Sequence, residues 1–359
     1  MLKRILYGHE AINEATHQVM QADKSVIVIG EGVPDPKRIF NTTSGLVEKF
    51  GKDRVFDSPL SENAVTGICI GASMNGMRPI LIHQRVDFSF LSFDQIINNA
   101  AKMNFMFNGN HNSPLVIRLI VGRGWGQGPQ HSQNIHTSLS CFPGIKIVMP
   151  SNPYDAKGLL ISSVEDNNPL IFIEHRWMHY TRNNVPKSIY RIPIGKASFL
   201  SKGKDVTILS YSHHSNEILK ICNEISKISN FNFELIDLRS LVPLDCSTIG
   251  KSIKKTGKLI IYENQEFHSC FSGEILKQIT EKVFDSLTKP PLLISGPRYP
   301  VPTSHYLSKY SYVDSFNAAK KIIKFMGMRL SEKKFKDLNY NLEINTDHDK
   351  PNVEFTGPF

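Results

Sequence analysis

The chain has 359 residues, with 42 basic and 33 acidic side chains for a formal charge of +9, and is 40% hydrophobic against 21% charged. At about 150 residues per domain this predicts two domains with ample core, and the apolar content excludes a disordered polypeptide. No apolar run approaches the roughly 18 residues of a membrane span, and the 5 scattered cysteines, lacking a Cys-x-x-Cys pair, argue against a disulfide framework and a structural zinc site and suit a reducing compartment.

In chain order, apolar residues at helical spacing over 11–20 predict an amphipathic helix, and 25–30 a buried strand. A helix over 43–50 and a short strand over 54–56 follow. Ser61-Glu62-Asn63 then opens a capped helix that carries Ala64, Ile68, Gly71, Ala72 and Met74. Strands are expected over 79–84, 115–120, 145–149 and 170–174, with helices over 94–106 and 155–164. Residues 177–201 hold Pro186, Pro193, Tyr180 and Tyr190 with weak periodicity and read as a linker. The pattern restarts with strands over 206–210, 233–237, 259–262 and 292–294, and helices through Ile221, over 273–283 and over 316–326. Such alternation predicts an α/β protein of two doubly wound domains, 1–176 and 202–328, followed by a polar extension over 329–359 that lies on the surface or is disordered.

The start, Met1-Leu2-Lys3-Arg4-Ile5-Leu6 with Glu10 and Glu14 soon after, resembles neither a signal peptide nor a transit peptide, so a cytoplasmic location is expected. Lys and Arg are dispersed, with only short pairs such as Lys320-Lys321. The charge is therefore read as suiting anionic substrates or an acidic partner, with no nucleic acid and no membrane.

The segment Gly122-Arg123-Gly124-Trp125-Gly126-Gln127-Gly128-Pro129 has neither the Gly-x-Gly-x-x-Gly spacing nor a Walker sequence, which argues against a Rossmann oxidoreductase. It is expected to let the backbone turn tightly against a ligand. His131, just beyond, is either a functional loop histidine or a hydrogen-bonded structural one. Glu62 carries the same ambiguity: a first-turn carboxylate favours the helix dipole, yet against a buried run it becomes a carboxyl of raised pKa.

Several motifs occur in a fixed order. They are Ser58-Pro59-Leu60-Ser61-Glu62, Gly71-Ala72-Ser73-Met74-Asn75-Gly76-Met77-Arg78-Pro79, Asp87-Phe88 with Phe93-Asp94-Gln95-Ile96, Gln130-His131-Ser132-Gln133, Pro143-Gly144-Ile145-Lys146-Ile147-Val148-Met149-Pro150, and Ile236-Asp237-Leu238-Arg239-Ser240-Leu241-Val242-Pro243. Over about residues 5–327 the chain thereby resembles the beta subunit of thiamine-diphosphate-dependent 2-oxo acid dehydrogenases, of the pyruvate dehydrogenase type. The resemblance implies a transketolase-like pyrimidine-binding domain followed by a transketolase C-terminal domain. It implies oxidative decarboxylation of a pyruvate-like 2-oxo acid, with transfer of the acyl group to a lipoyl acyltransferase.

Residue by residue, Glu62 matches the glutamate that hydrogen-bonds N1′ of the cofactor's aminopyrimidine and favours its imino form. Phe88 matches the aromatic packed on that ring, with Gln84 and Leu60 also at the cofactor. His131 matches a histidine that stabilises substrate or passes the acyl group on. Glu31 and Asp94 match acidic positions along a water-filled passage between two active sites. Leu115, Ser163, Asp166 and Asn168 match a loop that in some relatives holds potassium. The Gly-Asp-Gly signature that holds magnesium and diphosphate does not occur in the sequence. The resemblance thus places the magnesium on an alpha subunit, with the cofactor shared, a beta–beta dimer inside an assembly of two alpha and two beta chains, and no activity from this chain alone.

Two departures stand out. Where relatives read Glu-Phe-Gln-Phe-Ala-Asp-Phe, this chain has Ile82-His83-Gln84-Arg85-Val86-Asp87-Phe88. Strand alternation puts His83, Arg85 and Asp87 on one face, either as a solvated edge or as a pocket retuned for an anionic acceptor or a bulkier oxo acid. Where relatives have Thr-Gly-Gly-Phe-Gly in the segment that helps dock the acyltransferase core, this chain has His268-Ser269-Cys270-Phe271-Ser272. Two other readings stay open: a two-subunit carboligase or decarboxylase of a biosynthetic pathway, and a non-catalytic regulatory homologue. Retention of Glu62, Phe88 and His131 speaks against the last.

Overall fold

The β-branched and leucine runs form strands covered on both faces, as parallel sheets require. The computed structural model describes residues 4–36, 38–123, 126–343, 348 and 350. It falls into two units, the first being Met1–Gly122, Ile135–Gly195 and Ser240–Pro243, the second Arg123–Asn134, Lys196–Arg239 and Leu244–Phe359.

The first unit holds a seven-stranded sheet in the spatial order Ser240–Val242, Lys146–Val148, Leu170–His175, Val116–Val121, Arg78–His83, Val26–Gly30 and Val55–Phe56. All neighbours run parallel except the edge pair Ser240–Val242 and Lys146–Val148. The helix Gly8–Ala22 buries Ala11, Ile12, Ala15, Val19 and Met20, the stripe read from the sequence. Helix Pro153–Glu165 starts with proline in its first turn, and the Asn152 side chain accepts from the Asp155 amide at 3.0 Å. Both helices pack over Val28, Ile80, Val116 and Phe172.

Several expected elements differ in detail. The helix over 43–50 shortens to Leu46–Phe50, because Gly45 takes a left-handed φ of 74° just before it. The helix over 94–106 is broken into a wide turn Gln95–Asn99, a tight turn Ala100–Lys102 and a short helix Met103–Met106. Asn98 and Asn99 sit at the break, their amides bonded to the Asp94 and Gln95 side chains, and such polar side chains disfavour helix interiors. Ser61 begins the helix Glu62–Met74 as expected but makes no side-chain cap bond. Within 177–201, the strand Arg182–Asn184 pairs with Ile5–Tyr7, and Val185 and Ile192 are buried.

The second unit has five strands in the order Leu292–Ser295, Leu259–Glu263, Val206–Ser210, Phe233–Asp237 and an antiparallel edge Ser198–Ser201. The polar extension past residue 329, expected on the surface or disordered, is partly helical and partly buried. Glu332–Glu343 is a helix, and Leu338 and Leu342 join Ile218, Ile225 and Ile322 in the core. Phe335, Leu338 and Leu342 recur at helical spacing, so a polar segment still carries an apolar stripe. Among the described residues no helix is long and apolar enough to cross a membrane.

Candidate active site

In the first sheet the chain leaves strand Val26–Gly30 for Val55–Phe56 on one side, then returns to the other side as Arg78–His83. This reversal is a topological switch point, and open α/β sheets bind ligands outside the carboxyl ends of the strands that flank it. The two strands approach closely there: a Cβ on Gly30 would lie 2.3 Å from the Ile82 carbonyl oxygen, so this position needs glycine.

A narrow pocket opens at that point. Glu31 enters it directly after the first strand, Ser58 and Pro59 after the short edge strand, Glu62 and Val65 from the first turns of helix Glu62–Met74. Leu81 to Gln84 line it from the end of the second strand, and Phe88 from the tight turn Val86–Ser92. The walls are tied together by backbone and side-chain bonds. Asp57 Oδ1 accepts from the amides of Gly32 and Ser58, both at 2.9 Å, and Gln84 Nε2 donates to the Glu31 carbonyl at 2.8 Å.

Five of the residues singled out in the sequence, Glu31, Glu62, His83, Gln84 and Phe88, thus meet in one pocket. Glu62 is 8% exposed and His83 6%, so the solvated-edge alternative does not describe His83. The strand ends at His83 and the chain turns at Arg85, so the expected alternation through Arg85 and Asp87 is not realised. Burial raises the Glu31 carboxyl above its usual range, and the neighbouring Glu62 and Asp57 carboxylates raise it further. Burial pushes the His83 imidazole down to about 4, and its Nε2 hydrogen-bonds no protein group among the described residues. Arg85 is partly buried, which lowers its pKa against the pull of Asp87, and its field helps to lower Arg176, pushed to about 10 chiefly by burial.

The other candidates lie elsewhere. Leu60 is 81% exposed, and Asp94 is exposed and receives the Asn98 amide at 2.8 Å. His131 belongs to the second unit, on a loop fastened there by Gly126 N donating to the Thr303 carbonyl at 3.3 Å. At the expected potassium loop, the Leu115 carbonyl accepts from the Leu170 amide at 2.9 Å and the Ser163 carbonyl from the Asp166 amide at 3.3 Å. Arg78 donates to the Asp166 carbonyl at 3.0 Å, the Asn168 amide to its carboxylate at 2.9 Å, and Lys146 pairs with that carboxylate, so two cationic side chains already serve this corner.

Sequence reading missed a buried ion group in the same unit. Arg118 Nη2 lies 2.7 Å from Glu174 Oε1, His179 Nε2 lies 2.8 Å from Glu174 Oε2, and Arg118 donates to Thr42 Oγ1 at 2.9 Å. The signal was present: Arg118 interrupts an otherwise apolar strand, and a buried charge calls for a partner.

Residues 8–180 match the family model described as transketolase, pyrimidine binding domain, and residues 195–315 that described as transketolase, C-terminal domain. The chain is 39% identical over 304 residues to the acetoin:2,6-dichlorophenolindophenol oxidoreductase subunit beta of Cupriavidus necator, covering 82% of this chain and 89% of that protein. It is 38% identical over 311 residues to the pyruvate dehydrogenase E1 component subunit beta of Porphyra purpurea, covering 86% and 93%. The protein of that name from Bacillus subtilis is 34% identical over 319 residues, covering 88% and 98%. A solved structure described as a split-gene transketolase, inactive beta4 tetramer, superposes with a TM-score of 0.69 at 17% identity, covering 90% of this chain and 99% of that one, a likeness of fold.

Proposed function

This chain belongs to the transketolase-like family that includes the pyruvate dehydrogenase E1 beta subunits, and from that membership we propose that it holds the pyrimidine end of thiamine diphosphate for the oxidative decarboxylation of a pyruvate-like 2-oxo acid. The observation that carries the reading is the meeting of Glu62, Glu31, Gln84, His83 and Phe88 at the switch point. These residues fit the group. Val65, Leu81 and Ile82 offer apolar walls, Phe88 a ring face, and the buried Glu62 carboxylate an acceptor for a ring-nitrogen proton. When bound, the cofactor supplies a carbon nucleophile and an electron sink for the leaving carboxylate.

The chain's own residues do the rest. Glu62 presents its carboxylate oxygen to the ring nitrogen, and the apolar walls keep water from that bond and strengthen it. The Glu31 carboxyl, raised by burial and by its carboxylate neighbours, lines the same pocket. Gln84 fixes the Glu31 backbone and so the width of the pocket.

A partner is part of the proposal. Leu60, Ile68, Leu91 and Phe105 are 81, 63, 62 and 87% exposed on this unit, apolar area available for association. An alpha subunit carrying the diphosphate and magnesium ligands, with a second beta chain, would cover it, and the acyl product would pass to a lipoyl acyltransferase. A second reading, a two-subunit carboligase or decarboxylase acting on a more anionic oxo acid, is favoured by Arg85, a partly buried cation one residue beyond the pocket residue Gln84. Co-expression with the alpha subunit and a screen of 2-oxo acids, with an artificial electron acceptor and with aldehydes, separates the two. Glu62→Ala is expected to abolish turnover in either case; full activity in that variant, or turnover by this chain alone, would refute the proposal.

A further inference from the structure

Inside the Glu62 pocket, His83 is nine-tenths buried, and its Nε2 hydrogen-bonds no protein group among the described residues. Buried polar atoms are rarely left so. Among the residues around it, Val65, Leu81 and Ile82 offer only apolar side chains, Gln84 Nε2 is committed to the Glu31 carbonyl, and neither pocket carboxylate takes the bond. We propose that His83 hydrogen-bonds the nitrogen heterocycle that Glu62 holds, so that the ring is gripped at two polar points and His83 acts as a positioning residue for the cofactor. This rests on the function proposed above.

The chemistry of the imidazole selects the ligand. Burial keeps His83 neutral at physiological pH, offering one donor and one acceptor and no charge. A neutral imidazole suits an uncharged ring nitrogen or exocyclic amine better than a substrate carboxylate, for which Arg85 is the better partner.

The test measures thiamine diphosphate binding, with magnesium, to the assembly co-expressed with the alpha subunit, by calorimetry and near-UV circular dichroism. His83→Leu and His83→Phe are expected to weaken binding by about 3- to 10-fold, the range of one neutral hydrogen bond. His83→Gln, whose amide reaches the Nε2 position, should stay within about twofold of the parent on the same scale. The ligand-free melting temperature of the Leu and Phe variants should be unchanged or higher, because an unpaired buried polar atom has been removed. Should the apolar variants not fold, His83→Gln against His83→Asn carries the comparison, the shorter amide losing the affinity that the longer one keeps. Unchanged affinity in the apolar variants, or a lowered ligand-free melting temperature with unchanged affinity, assigns His83 to packing and overturns the inference. Glu62→Ala run in parallel separates the failures: if it too binds normally, the functional reading fails; if it binds poorly while the His83 variants bind normally, only the role of His83 fails.

Discussion

Replacing Glu174 with glutamine tests whether the first unit depends on the ion group under its sheet. Arg118 and Glu174 are both 0% exposed, 2.7 Å apart, and the second Glu174 oxygen lies 2.8 Å from His179. Burial alone would raise the Glu174 carboxyl, but the charge of Arg118 and the bond to His179 bring it below its usual range. Unit charges at that separation attract by about 6 kcal/mol at an effective dielectric of 20. The amide keeps an acceptor oxygen worth about 1 kcal/mol, so the variant should lose about 3–5 kcal/mol, the range for breaking a buried pair. For a unit of this size that lowers the melting temperature by roughly 6–20 °C in calorimetry. The double variant Arg118→Met/Glu174→Met leaves no buried charge behind and should recover part of the loss. A single-variant cost below about 1 kcal/mol, or a double variant as poor as the sum of both singles, would refute the reasoning.

Further perturbations probe other parts of the chain. Arg85→Gln should raise the Michaelis constant for a charged 2-oxo acid or acceptor while sparing uncharged aldehydes; an equal loss across substrates would remove Arg85 from the substrate. Ending the chain at residue 330 deletes Leu338 and Leu342, both 1% exposed, from the second core. Each buried leucine contributes about 1.5–3 kcal/mol, so urea unfolding of that unit should shift by roughly 3–6 kcal/mol at most, and an unchanged midpoint would return the tail to a surface role. Glu263 is raised from 4.5 to about 7 by burial, so the folded state keeps a proton that the unfolded chain releases. Stability of the second unit should therefore fall as pH rises from 4.5 to about 7, by as much as about 3 kcal/mol from this group, and Glu263→Gln should flatten that slope. A slope untouched by the substitution would mean that Glu263 is charged throughout.

The strands and long helices were legible because they depend on local pattern. Val26–Gly30 is an uninterrupted apolar run, Leu170–His175 opens with the apolar run Leu170-Ile171-Phe172-Ile173, and the stripe of helix Gly8–Ala22 repeats at helical spacing. What failed to show depends on groups far apart in the chain. The turn over residues 38–41 places Arg38, Ile39, Phe40 and Asn41 at positive φ, with no glycine to announce it. It is held from outside, by Thr43 Oγ1 donating to the Val33 carbonyl at 3.0 Å and by Arg118 donating to Thr42. The shortened helix Leu46–Phe50 was readable in principle from Gly45, and the core contribution of Glu332–Glu343 from three apolar residues that a high polar content concealed.

For the site, motif order marked Glu62, Gln84 and Phe88, but side-chain alternation misplaced the residues between them. Alternation assumes that a strand continues, and here it stops at His83, where the chain turns into Val86–Ser92. That stop changes the chemistry. Had the strand run on, His83 and Arg85 would share a face and an ionic role. Because it ends, His83 is buried in the pocket as a neutral base, while Arg85 keeps its charge in a separate, partly buried setting. One residue is thereby suited to a heterocycle and the other to an anion, a division of labour that follows from where a single strand terminates.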